Sequence, residues 1–376
     1  MKNLLFSLIL CLPILMFAQK NDELYKQASE FYDKNDYQKA FPLFEKIIAE
    51  NPDDKDALLK NAVCKKELGM TEQAIVGFRK CLKLDSSLYK AWYYLGATYT
   101  DDLNKHKQAL QCFQHCIDLI PKDSPELSFP YYGMGKAMFG SNNFKEAIDW
   151  FDKSIEKKAD FYASYFNRGL CKDALQDFEG AEKDYSESIK LNPSFPDAWF
   201  NRALCKTEMK NFKNAIKDFN KVIELVPNHF EAYYGRAIVK SALKQYKSAL
   251  DDYTKAIEIN PKYADAYFER GSAKLEMKNL KGAIEDFSKA IEMQNDDPDY
   301  YFERGFAYFE IKNFKNSEID LSKAIELDPE FAEAYYERSL ARNALGNLDG
   351  ACVDYKKAID MGVEIEKHAK KPNCFY

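Results

Sequence analysis

Apolar and polar residues in this chain follow two superimposed periods, one of a helical turn and one of 34 residues. The longer unit recurs ten times from Asn21 to Ile365, interrupted by one extra residue between Asp101 and His106 and by four at Ser124 to Leu127. Within each copy, positions 4, 8 and 11 recur at helical spacing, and so do positions 20, 24 and 27. Each copy therefore reads as two amphipathic helices, A and B, and the chain as all-α. Alanine stands at position 20 in nine copies, with Ser317 departing, and glycine or alanine at position 8 in most. Small side chains there let the two backbones approach, so that a large residue at position 24 fills the groove. That residue is Phe44, Phe78, Phe113, Phe151, Tyr185, Phe219, Tyr253, Phe287 and Tyr355, with Leu321 the exception. Asp or Asn at position 16, including Asp177, Asn211, Asn279 and Asn313, offers an oxygen to cap helix B. Proline at position 32, as in Pro193, Pro227 and Pro261, ends it. One copy cannot bury both faces alone, so neighbours must stack into a solenoid.

In the copy beginning at Pro196 the period places Trp199, Ala203, Ala215, Phe219 and Pro227. The next places Tyr233, Ala237, Ala249, Tyr253 and Pro261, and the one after it Tyr267, Gly271, Ala283 and Phe287. This period and this spacing resemble the tetratricopeptide repeat. The resemblance implies a right-handed superhelix of about ten helix-turn-helix repeats, with helix A lining an inner groove. Some members of that family grip a peptide's terminal carboxylate with lysines and asparagines on helix A. The matching face here carries aromatics and acids, so that clamp does not carry over.

The copies are not uniform. In the last six, position 7 is always arginine (Arg168, Arg202, Arg236, Arg270, Arg304, Arg338) and position 23 always aspartate (Asp184, Asp218, Asp252, Asp286, Asp320, Asp354). Both lie on the packed stripes, and pairing within a copy leaves no orphan, so six structural ion pairs are expected. The first four copies have neither residue. The change near Phe161 predicts a junction between an N-terminal block of three repeats (21–123), an irregular fourth repeat (128–161) and a regular block of six (162–365), with 366–376 as a cap or tail.

On the helix A face turned away from helix B, position 5 is aromatic in eight successive copies: Tyr93, Tyr132, Phe166, Phe200, Tyr234, Phe268, Phe302 and Tyr336. The ninth copy adds Phe306 and Phe309. Such a ladder suits anchoring a protein or peptide segment, and it equally suits packing between neighbouring copies. Position 2 is acidic in the last five copies: Asp197, Glu231, Asp265, Asp299 and Glu333. An acidic rim beside the rings favours a basic or amphipathic partner, while acids at a helix start also complement the backbone dipole.

Composition narrows the classes further. Ten copies leave no room for a catalytic domain, four histidines are scattered and no glycine-rich phosphate loop occurs, so no enzyme and no cofactor are expected. A net charge of −6 without a basic stripe argues against nucleic acid. At the start, Lys2, the apolar Leu4 to Phe17 broken by Pro13, and the small Ala18 form a signal-like leader, with residues 1–18 removed on export. An uncleaved anchor and a lipid-modified Cys11 are the other readings. No later stretch is apolar enough to span a bilayer, so the mature chain is expected to be periplasmic or associated with the cell envelope. Cys64, Cys171 and Cys205 share position 10 and Cys81 and Cys116 position 27, which reads as buried thiols. Cys112, His115 and Cys116 do not complete a tetrahedral set, so no metal is expected. The sequence therefore points to a scaffold or adaptor that binds a protein segment, and as a second class to a carbohydrate-binding or cell-wall accessory protein.

Overall fold

A computed structural model of the chain describes residues 22–363. The leader at 1–18, with Cys11, and the tail at 366–376, with Cys374, lie outside the described residues. The described residues hold twenty α-helices, one short 3-10 helix and no strand. After the opening helix at 22–33, helices A of 13 residues, such as Pro196–Glu208 and Phe230–Ala242, alternate with helices B of 14, such as Phe212–Leu225 and Tyr246–Ile259. The last helix B, Leu348–Asp360, is one residue shorter. The chain divides into two compact units, Met1–Pro193 and Ser194–Tyr376. Each A packs on the B of its own copy and, within each unit, each B packs on the next A. The four inserted residues become the 3-10 turn Pro125–Leu127, whose Leu127 is buried.

The position-24 side chains form the axis of each copy. Phe44, Phe78, Phe151, Tyr185, Phe219, Tyr253, Phe287 and Leu321 are all at 0% exposure. The small residue at position 8 is what admits them. A Cβ added to Gly169 would stand 2.7 Å from the Tyr185 ring, and one added to Gly271 would stand 2.7 Å from Phe287. A methyl there would push the ring out of the groove.

The turn from A to B holds a feature the repeat pattern hides. Position 15 is left-handed throughout, at Lys210, Lys244, Lys278 and Lys312 with φ of 58–63°, and at Gly69 and Gly346. The reversed residue closes helix A: the Lys210 amide donates to Thr207 O at 2.9 Å and that of Asn211 to Lys206 O at 2.7 Å. Asp177, Asn279 and Asn313 cap helix B, their side-chain oxygens accepting from the amides of Gly180, Gly282 and Asn316. Asn211 departs from the expected cap, because its side-chain oxygen accepts from Asn214 Nδ2 at 3.0 Å instead of from the backbone.

The two kinds of copy build different interiors. In copies three and four, positions 7 and 23 are Leu95 with Cys112 and Met134 with Trp150, and Leu58, Val63, Phe78, Leu95, Phe113 and Met134 share one apolar cluster. In the second unit the clusters are small and nearly one per copy, as with Ala203, Ala215, Phe219 and Val222.

Candidate functional site

In the later copies helix A is held by a repeated polar clamp. In all six the arginine at position 7 reaches the aspartate of its own copy through Nε and Nη2: Arg168 to Asp184, Arg202 to Asp218, Arg236 to Asp252, Arg270 to Asp286, Arg304 to Asp320 and Arg338 to Asp354. Two parallel bonds fix the guanidinium plane as well as its position. The aspartates are 2–5% exposed, so these are interior pairs. Two further contacts lie beyond what the repeat pattern indicates. The third nitrogen, Nη1, donates to position 25 of the preceding copy, as from Arg270 to Thr254 and from Arg304 to Ser288, both at 3.1 Å. A base at position 11 shares the same carboxylate: Lys172, Lys206, Lys240 and Lys274 stand 2.7–2.8 Å from Asp184, Asp218, Asp252 and Asp286, and Arg342 stands 2.8 Å from Asp354. Position 11 lies one helical turn beyond position 7 on the same stripe, which brings its base to the same carboxylate. The guanidinium also sits over the position-4 ring, 4.8 Å from Trp199 and 5.5 Å from Tyr267.

The ladder rings at position 5 are half-buried in both units. Their inner edges meet the position-24 ring of the same copy: Tyr93 on Phe113, Tyr132 on Phe151, Phe166 on Tyr185, Phe200 on Phe219, Tyr234 on Tyr253, Phe268 on Phe287 and Tyr336 on Tyr355, at 5.6–6.4 Å between centroids. Several also touch a ring in the following connection or helix, with Tyr132 on Phe161, Phe200 on His229, Tyr234 on Tyr263, Phe268 on Tyr300 and Phe302 on Phe331 at 4.8–5.1 Å. Packing therefore takes part of each ring and leaves the rest accessible. Phe306 is also half-buried, and Phe309 packs on Phe314 at 5.3 Å.

The acids divide into two rows. Asp197, Glu231, Asp265, Asp299 and Glu333 sit in the first turn of their helices, where the backbone dipole favours them. Asp265 accepts from Tyr300 Oη at 2.8 Å, and Glu231 lies 3.0 Å from His229 Nδ1. The second row, at position 6, is Glu269, Glu303 and Glu337, each half-buried and each next to a ladder ring. Burial, then repulsion from Asp299, Glu269 and Glu276, pushes the Glu303 carboxyl up to about 7. Burial and then Asp265 raise Glu269 above the usual carboxylate range. The repeat pattern conceals this row, because the position is Asn or Gly in copies five to seven.

Elsewhere, Cys64, Cys81, Cys112, Cys116, Cys171 and Cys205 are buried free thiols. Burial raises Cys112 and Cys116 to about 12, which disfavours the thiolates that a metal would need, and the His115 ring lies 4.6 Å from that of Trp92. Cys352 is disulfide-bonded. In the first unit, Tyr32, Tyr89, Tyr93, Tyr94 and Phe129 line a cavity of about 550 Å³ with Lys60 and Lys90 at its edge. No described helix is long and apolar enough to cross a membrane.

Tetratricopeptide-repeat models match residues 31–99, 89–123, 162–195, 196–229, 230–263, 252–285, 273–312, 298–331 and 332–361. No curated protein matches the chain. Among solved structures, YrrB, described as a TPR protein with an unusual peptide-binding site, is 23% identical over 49% of this chain and 95% of its own, with a TM-score of 0.44. A tetratricopeptide repeat protein from Parabacteroides merdae is 18% identical over 67% of this chain and 98% of its own, with a TM-score of 0.49. MamA from Desulfovibrio magneticus RS-1 is 25% identical over 45% of this chain and 96% of its own, with a TM-score of 0.43. The repeat models span most of the described residues, those at 162–195, 196–229 and 230–263 each covering one helix pair, and the chain belongs to the tetratricopeptide-repeat family of protein-interaction scaffolds.

Proposed function

We propose that this protein is an exported, non-enzymatic adaptor that binds a segment of another protein in a concave groove lined by the faces of its A helices turned away from helix B, within an assembly of the cell envelope. The observation that carries this reading is the ladder of half-buried rings at position 5. Each ring is pinned on its inner edge, as Phe268 is by Phe287, so it offers contact area with little side-chain entropy left to lose. The signal-like leader supports export. A second reading, carbohydrate binding in the cell wall, draws on the same accessible rings, which can also stack on sugars.

Replacing Phe268, Phe302 and Tyr336 together by alanine separates the two. The adaptor reading expects loss of protein capture with unchanged retention on cell-wall glycan. Lost glycan retention with intact protein capture would favour the second.

A further inference from the structure

Copies eight, nine and ten each place an aromatic and a glutamate side by side on helix A: Phe268 with Glu269, Phe302 with Glu303, and Tyr336 with Glu337. We infer that the pairs Phe268 with Glu269 and Phe302 with Glu303 are receptors for lysine or arginine side chains, so that the segment bound by the second unit is basic, with its cations spaced to meet successive copies. This rests on the adaptor reading and names the partner of the same face.

Charge is distributed unevenly around these helices. From copy six to copy ten, positions 2, 6 and 13 of helix A carry eleven acids and no base. The bases of the same helices stand at positions 7 and 11 and are turned inward onto the buried aspartates, as with Arg270 and Lys274 on Asp286. They cannot neutralise the outward face without breaking the clamp. The opening copies differ, because Lys26, Lys60 and Lys90 occupy positions 6, 6 and 2 there.

Glu269 and Glu303 are also partly withdrawn from water, and every charge that acts on them is another acid. A half-buried carboxylate without a counter-charge is costly, and an arriving cation relieves that cost. A single metal ion does not fit, because no group of three acids, histidines or cysteines among the described residues converges closely enough to hold one. A row of separate carboxylates instead suits several cations carried on one chain. A lysine or arginine matches both halves of each pair, since its aliphatic stem and cationic head can lie against the ring while the head meets the carboxylate. Successive rungs lie roughly 10 Å apart if neighbouring helices keep ordinary packing distances. That is about three residues of polyproline II chain, a conformation that returns every third side chain to the same side.

The test uses the full chain and three synthetic peptides that share one apolar pattern and carry lysine, glutamine or glutamate at every third position. Fluorescence anisotropy at low salt should show the lysine peptide binding about tenfold or more tighter than the glutamine peptide, with the advantage shrinking as salt rises. Glu269→Gln with Glu303→Gln should remove most of that advantage while leaving the helical circular dichroism unchanged. Equal binding of the lysine and glutamine peptides, or an undiminished advantage in the double variant, overturns the inference. If Phe302→Ala still weakens all three peptides in that case, the adaptor reading stands without it. If no peptide binds in a manner sensitive to Phe302→Ala, the adaptor reading falls as well.

Discussion

Asp286 offers the most direct way to measure what the clamp contributes. It is 3% exposed and accepts from Arg270 Nε at 2.9 Å, Arg270 Nη2 at 2.7 Å and Lys274 Nζ at 2.7 Å. Asp286→Ala leaves two cations, with side chains 16% and 18% exposed, without their carboxylate. Removing one partner of a buried pair costs about 3–5 kcal/mol. Partial exposure lets the guanidinium turn toward water, and Arg270 keeps its bond to Thr254 Oγ1 at 3.1 Å, so the lower end of that range is expected. A repeat array need not unfold in one step, so hydrogen exchange of helices Ala264–Glu276 and Leu280–Met293 in the full chain is the suitable assay. A loss of about 3 kcal/mol accelerates exchange through local opening by roughly a hundredfold. Replacing Arg270 and Lys274 by methionine in the same chain should recover much of that loss, because the stranded charges would then be gone. Copies three and four already carry Leu95 with Cys112 and Met134 with Trp150 at positions 7 and 23. Exchange within a few-fold of the parent, or no recovery in the triple variant, would refute the reasoning.

Three further outcomes follow from the same geometry. Phe287→Ala, at a side chain with 0% exposure, should cost about 3–5 kcal/mol, read as a lower urea midpoint for the second unit. Gly346→Ala should cost about 1 kcal/mol, seen as a lower Tm, because φ is +83° and no atom within 4 Å would resist the methyl group. Glu303 holds its proton more tightly in the folded chain than in the unfolded one, so its penalty is absent below the usual glutamate range and complete above about pH 7. Glu303→Gln should therefore stabilise the protein by about 1–3 kcal/mol at pH 8 and by little at pH 4, measured by denaturant titration at both.

The fold is legible because one constraint is written nine times and relaxed once, by Ser317 and Leu321: a small residue at position 8, alanine at 20 and a ring at 24 admit a single close packing of two helices. The in-copy pairing of positions 7 and 23 follows from counting, since the alternative strands Arg168 and Asp354. The contacts from Arg270 to Thr254 and from Lys274 to Asp286 do not, because position 25 varies in chemistry and a lysine on a helix ordinarily reads as solvated. Lys210 in a left-handed turn is equally hidden, as glycine is the residue that announces that geometry. Asn211 reads as a cap by residue type, yet Asn214 competes for its oxygen. The glutamates at position 6 are obscured because a face assigned by spacing alone stops one residue short of them.

The claim on which the rest turns is that the outward face of helix A holds another protein. A photoreactive phenylalanine analogue at position 306, one turn from Phe302, tests it in intact cells by ultraviolet crosslinking followed by mass spectrometry of the adducts. The account predicts a discrete protein adduct whose linked peptide is rich in lysine or arginine and disappears when Phe302 and Phe268 are replaced by alanine. Recovery of glycan adducts alone, or of protein adducts indifferent to those replacements, would contradict it.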